Sequence, residues 1–270
     1  MTNLPFAATT PVHIGRVGLK ARDAERVAAF YRSALGLKEL RRAGNAIGLG
    51  VDGRELVEIE GSPALREDDP RGAGLFHTAF LLPARADLAR WVRHASDGRI
   101  AIDGASDHLV SEALYLNDPE GNGIEIYVDR AADEWPRDGG TIRMATERLD
   151  VDSLMSELRD GDAGWKGAPE GTVVGHVHLR VGDIDLAERW WNDSQGFDTM
   201  VHYGGQAVFL STGGYHHHIG ANVWRSRGAG MRDEDRAGLG FVELLSRNAS
   251  AESASRDPWG NEIRIRPATA

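Results

Sequence analysis

The sequence predicts an α+β fold of four βαβββ modules, the last one truncated, arranged as two domains. Three observations predict it. The same order of short alternating strand, amphipathic helix and further strands returns along the chain, from Arg16, Leu75, His176 and Leu239. The first and third copies place an Asp between strand and helix, where its carboxylate can accept from the free amides of the first helical turn. The second and fourth copies end in the same turn, Asp-Pro-x-Gly-Asn, before an alternating strand.

The first copy reads RVGLKARD, then AERVAAFYRSALGLKEL, so Asp23 caps a helix that turns Phe30 and Tyr31 toward a sheet before a Gly stops it. Alternating segments broken by Gly follow and read as strands. The second copy opens with Leu75–Pro83, continues with the helix ADLARWVRHASDG, and closes at Tyr127 after the turn that begins at Asp118. The third opens with His176–Asp183, and its helix carries Trp190 and Trp191 at the sheet-facing positions. The fourth runs from Leu239 to Ile265. Between its end strands lies only SRNASAESASR, too short for a helix plus two strands. Residues 130–172 are polar and Gly-rich with one short helix at VDSLMSELRD. The expected division is therefore a two-module domain over 1–130, a linker over 131–172, and a domain of one full and one truncated module over 173–270.

Composition narrows the function. The chain has 270 residues, 41% of them hydrophobic, enough for real cores. A net charge of −10 argues against nucleic acid, which favours a basic face. With no cysteine, disulfides and thiolate metal sites are excluded, and any metal must sit on His, Asp or Glu. No apolar run is long enough for a membrane span, and MTNLPFAATTPVH lacks the features of a secretion signal. A cytoplasmic homo-oligomer acting on a small molecule is the expectation.

The helix signature Phe30-Tyr31-x-x-x-Leu35-Gly36, the run Asp107–Arg130 with its DPxGNxIE strand, and the run GGYHHHIGANVW together resemble the vicinal oxygen chelate superfamily of glyoxalases, bleomycin-resistance proteins and extradiol dioxygenases. Within it the chain looks most like the two-domain bacterial catechol 2,3-dioxygenases, with matching segments spread from about residue 12 to 266. That resemblance implies a cup of curved strands holding iron(II), or manganese(II), on two His and one Glu. Adjacent positions are left open for both oxygens of an aromatic diol and for O2. The ring would open beside the diol.

Carried onto this chain, the family pattern puts ligands at His77, on the first strand of the second copy, and at Glu125, on its last strand. A lone strand His is more often a hydrogen-bonded core residue, and a Glu between Ile124 and Ile126 is more often on a solvated face; their joint match favours ligation. The first copy has Arg16 where its His would stand, so the third ligand is expected at His176 through pairing of the second and third copies. His13 competes, although alternation turns it away from the face of Arg16. His178 shares a face with His176 and is expected in the pocket.

The same resemblance implies a proton-handling His in the run Tyr215-His216-His217-His218, and the motif alignment favours His218, with His216 on the same face. It also implies a pocket Tyr at Tyr115 and an orienting residue at His108. The ordinary alternatives are a core aromatic and a surface His. Two rival readings stand beside the dioxygenase. One is a glyoxalase-like enzyme that takes a second carboxylate from Glu58 or Glu60. The other is a metal-free drug-binding cup, for which the His-rich pattern is surplus.

Overall fold

A computed structural model describes residues 4–268. The first module comprises β1 (Val12–Ala21), α1 (Ala24–Phe30), β2 (Lys38–Ala43), β3 (Ala46–Val51) and β4 (Arg54–Gly61). The second comprises β5 (Gly74–Leu81), α2 (Arg85–Asp97), β6 (Gly104–Asp107), β7 (Ser111–Asn117) and β8 (Gly123–Asp129). The intervening segment forms β9 (Arg137–Asp138), β10 (Thr141–Ile142) and α3 (Val151–Met155). The third module comprises β11 (Val173–Arg180), α4 (Ile184–Gln195), β12 (Asp198–Tyr203), β13 (Ala207–Ser211) and β14 (Ile219–Asn222). The fourth keeps β15 (Gly238–Ser246), β16 (Ser253–Arg256) and β17 (Glu262–Pro267), having lost its helix and one strand.

Local chemistry accounts for these boundaries. The carboxylates of Asp23 and Asp183 accept from the amides of Arg26 at 3.0 Å and Leu186 at 2.8 Å, capping α1 and α4. After α1 a π-helical turn, Tyr31–Leu35, ends at Gly36, and α4 ends at Gly196; both glycines are left-handed, at φ 71° and 69°. Tyr31 and Trp191 are fully buried under their sheets while Phe30 and Trp190 are half-buried, so each expected aromatic pair is split across the buried edge of its helix. The two DPxGN turns close identically. In the first, Asp118 accepts from the Asn122 amide at 3.0 Å and side chain at 2.8 Å; in the second, Asp257 accepts from Asn261 at 2.8 Å in both.

The sheets do not follow chain order. One has seven strands in the order β16-β17-β15-β1-β4-β3-β2, joining the first module to the last. The other has eight, β12-β13-β14-β11-β5-β8-β7-β6, joining the second module to the third. The strands of residues 1–130 are thus divided between both sheets, and so are those of 173–270, with the second and third modules sharing one cup and the first and last the other. Modules pair through their first strands, β1 with β15 and β5 with β11, both antiparallel. A single buried apolar cluster, including Val17, Leu244, Ile126 and Val177, runs through both sheets. Residues 131–172 are more than a spacer. Leu149 and Leu154 are buried in that cluster, and Glu147 exchanges two backbone hydrogen bonds with Asp107.

Candidate metal centre and cavity

Three adjacent strands of the eight-stranded sheet build the centre. Across the parallel pair β5/β8, His77 lies opposite Gly123, which puts Glu125 two residues on and on the same face. Across the antiparallel pair β5/β11, His77 lies opposite His178, so His178 and, two residues back, His176 share that face. The imidazole of His178 lies where a side chain at position 220 would otherwise stand. A Cβ on Gly220 would come within 2.8 Å of the ring, so the glycine makes room for it.

The three expected ligands converge. Glu125 Oε2 is 3.0 Å from His77 Nε2 and 3.1 Å from His176 Nε2, and the two Nε2 atoms are 3.4 Å apart. All three side chains are buried, and these are the residues whose ligand atoms cluster closely enough to hold an ion among the described residues. Burial alone would raise the pKa of Glu125, but the imidazoles of His176 and His77 outweigh it and hold the carboxyl well below its usual range. Burial holds the His176 imidazole down to about 4, so it presents a neutral nitrogen. Both imidazoles can donate to Glu125 Oε2, but the two Nε2 atoms then face each other at 3.4 Å with no acceptor between them, so protons alone leave one edge of the triangle unmatched. An N2O set of this kind fits a divalent cation, and two imidazoles with one carboxylate suit a borderline metal with open positions.

The three face a cavity of about 260 Å³. Tyr115, His108 and His178 also line it. His108 is pinned by the segment once read as linker: its Nδ1 donates to the Ala145 carbonyl at 2.7 Å, which leaves Nε2 to accept from the Tyr115 hydroxyl at 2.6 Å. Burial, with Glu125 next in weight, raises the Tyr115 phenol well above its ordinary pKa, so it stays a donor. His178 Nε2 is buried without a partner.

The His run is placed differently from the expectation. Residues 215–218 precede β14 in irregular backbone, and alternation there has the opposite phase: His217 lines the cavity, while His216 and His218 do not. His218 is locked into the structure by Ser211 Oγ at 2.8 Å, Thr10 Oγ1 at 3.2 Å and the Ala7 carbonyl at 2.9 Å. His216 reaches Asp129 at 2.8 Å through Nε2 and His217 at 2.7 Å through Nδ1. With the His216 Nε2–H donating to Asp129, His216 Nδ1 accepts from His217 Nδ1–H, and His217 Nε2 is left bare. Burial and the neighbouring imidazoles lower the His217 pKa well below its ordinary value. His13 lies on β1, paired with Leu245 in the other sheet, and its Nδ1 meets the Thr10 carbonyl. Glu58 and Glu60 are also in that sheet, on β4, so neither adds a second carboxylate to this centre.

Sequence reasoning missed His217 and the aromatic wall of Phe76, Tyr203, Phe209 and Trp224. The HHH run itself was the signal for His217; only the strand phase was misjudged. A match to the family described as Glyoxalase/Bleomycin resistance protein/Dioxygenase superfamily spans residues 13–126. The catechol-2,3-dioxygenase of Bacillus subtilis (strain 168) is 40% identical over 237 residues, covering 86% of this chain and 82% of that protein. The chain belongs to the glyoxalase/bleomycin resistance protein/dioxygenase superfamily. A second relative in the superfamily, biphenyl-2,3-diol 1,2-dioxygenase 3 of Rhodococcus globerulus, is 30% identical over 139 residues, covering 49% of this chain and 72% of that protein. The superfamily fold is shared with a putative dioxygenase from Bacillus subtilis (TM-score 0.61, 12% identity, covering 95% of this chain and 85% of the other). It is also shared with glyoxalase I from Zea mays (TM-score 0.57, 14% identity, 97% and 94%).

Proposed function

We propose that this protein is a metal-dependent extradiol dioxygenase that opens the ring of a catechol-like diol beside its two hydroxyls, with both atoms of O2 entering the product. The observation that carries the reading is the buried His77–Glu125–His176 set opening onto a cavity wide enough for an aromatic ring. The 40% identity to a catechol-2,3-dioxygenase supports it. Iron(II) is the proposed metal, with manganese(II) as the substitute; when bound, it would supply adjacent coordination positions and the redox chemistry.

The protein's own groups have separable tasks. His77, Glu125 and His176 would hold the ion, the neutral imidazoles offering lone pairs and the carboxylate offsetting charge. His217 Nε2 takes a hydroxyl proton from the diol, and Asp129 and His216 position it by fixing its tautomer. Tyr115, whose proton goes to His108 Nε2, offers its phenol oxygen as an acceptor to a diol hydroxyl, and His178 supplies a further polar contact. The surrounding aromatic side chains exclude water. The reading takes the protein as a cytoplasmic homo-oligomer, which cell fractionation and light scattering test.

Anaerobic reconstitution with iron(II), followed by catechol and air, is expected to give oxygen uptake and a yellow ring-opened product. Calorimetric titration with iron(II) or zinc(II) is expected to give one site, lost in His77→Ala. Absence of uptake with every catechol offered, or an unaltered binding isotherm in His77→Ala, would overturn the proposal.

A further inference from the structure

The segment between β4 and β5 and the segment between β14 and β15 run side by side. The Arg66 amide donates to the Asp235 carbonyl and the Ala237 amide to the Arg66 carbonyl, both at 2.9 Å. Between these two connectors lies a further cavity of about 250 Å³, with Asp68, Asp69, Arg71, Arg232, Asp233 and Arg236 on its wall. It shares no lining residue with the cavity at the metal centre. Asp68 stands over Gly74 and Gly238, the first residues of β5 and β15, so this space sits where the two sheets meet.

Its charges do not cancel. The Asp68 carboxylate is taken by Arg180, whose Nη2 donates to it at 2.6 Å. Arg180 is 7% exposed and keeps its Nε without a partner. Asp233 is shared by Arg66 at 2.8 Å and Arg236 at 3.0 Å. Asp69 accepts from the Arg71 backbone amide at 2.9 Å. Among the described residues this leaves the guanidiniums of Arg71 and Arg232 with no carboxylate at ion-pair distance. Arg71 is exposed; Arg232 is half-buried and donates to Asn261 Oδ1 at 3.3 Å. Two cations also crowd one carboxylate: a Cβ on Gly74 would lie 3.2 Å from Arg180 Nη2, 4.0 Å from the Arg232 guanidinium carbon and 4.0 Å from Asp68 Oδ1. Burial lowers the Arg232 pKa, with Asp68 opposing and Arg180 adding to the effect, whereas Asp235 and Asp233 raise that of nearby Arg66. A half-buried cation short of negative charge is stabilised by an anion brought to it.

We propose that this cavity binds a small oxyanion of the phosphate class on Arg232 and Arg71, and that the occupant ties the two connectors, and through them the two sheets, together. The planar guanidinium fork matches paired oxygens of a phosphate, and two such forks on one wall supply both charge and direction. A metal cation fits less well. Asp68 and Asp233 are already bound to arginines, and among the described residues ligand atoms gather closely enough for an ion only at His77, Glu125 and His176.

The test is thermal unfolding of the whole protein in inorganic phosphate against sodium chloride of equal ionic strength, since both salts screen charge alike. Phosphate is expected to raise the midpoint by about 3 °C or more near saturation, and calorimetry to give one phosphate site. Arg232→Gln is expected to abolish the increment. Arg71→Ala, which removes an exposed side chain and leaves the core intact, is expected to weaken phosphate by about 10-fold. The increment is expected to persist in His77→Ala, which separates this site from phosphate held at the metal centre. Glycerol phosphate run in parallel tells an ester from the free ion: a larger rise with either one supports the site and names the better occupant. Equal midpoints in phosphate and chloride overturn the inference. So does an increment that survives both arginine substitutions, or one that vanishes in His77→Ala.

Discussion

At the residue scale, the three imidazoles of the His run have one chemistry and three different tasks. His217 faces the cavity with a bare Nε2, His216 fixes its tautomer, and His218 ties β14 to the N-terminal segment through Thr10 and Ala7. His217→Gln is expected to retain one-equivalent metal binding and to lower oxygen uptake by about 10²-fold or more, since a positioned proton acceptor contributes on that scale. His218→Gln is expected to act first on stability, by about 1–3 kcal/mol, because it removes the buried imidazole's hydrogen bonds to the Ser211 hydroxyl and the Ala7 carbonyl. Urea denaturation beside oxygen-electrode rates separates the two, and a His218 variant that abolishes turnover at full stability would exchange their roles. Sequence alone had both the type and the neighbourhood of these residues. It lacked the phase, because assigning faces by alternation needs a strand, and residues 215–218 are not one.

At the element scale, the two first-strand pairs use one register for opposite purposes. Gly18 pairs with Glu58 as Ala79 pairs with Glu125, so Arg16 stands in the first cup where His77 stands in the second. The guanidinium of Arg16 reaches Glu55 at 2.5 Å, Glu58 at 3.1 Å and Glu243 at 3.1 Å, and Arg41 bridges Glu55 and Glu58 from the far side. A built-in cation thus occupies the seven-stranded cup. Neighbouring carboxylates raise its pKa against the opposing effect of burial. Arg16→Met is expected to cost about 3 kcal/mol or more, because it leaves three partly buried carboxylates facing one another with only Arg41 and, at 3.7 Å from Glu243, Arg266 beside them. Chemical denaturation at low ionic strength checks this, and a loss below about 1 kcal/mol would mean that the cluster is solvated rather than structural. The missing His at position 16 was visible in the sequence; the carboxylates gathered around its replacement were not, since they come from two other strands, β4 and β15.

At the scale of the whole molecule, acid sensitivity follows from how many imidazoles the fold buries in neutral form. Burial depresses His218 to about 3 and lowers His13, His178 and His217 as well. In the unfolded chain these groups take up protons near pH 6.5, so the unfolded state binds more protons below that point and stability falls with pH. The contribution is complete above pH 6.5 and is lost progressively as pH drops toward 3. The urea midpoint of the metal-free protein is accordingly expected to be lower at pH 5 than at pH 7; an unchanged midpoint would show that these imidazoles are not held neutral. The sequence by itself determined the four repeats, the capped helices and the truncated last module, because periodicity, Asp and Gly at helix ends and the DPxGN turns act over a few residues each; the three clustered residues were legible only through the resemblance to a family pattern. Only the tertiary structure decided the strand order and register within each sheet, which His of the run meets the cavity, and that residues 144–146 wall the site. Those outcomes depend on pairing β5 with β11 across a separation of about a hundred residues, and nothing local in either strand specifies its partner.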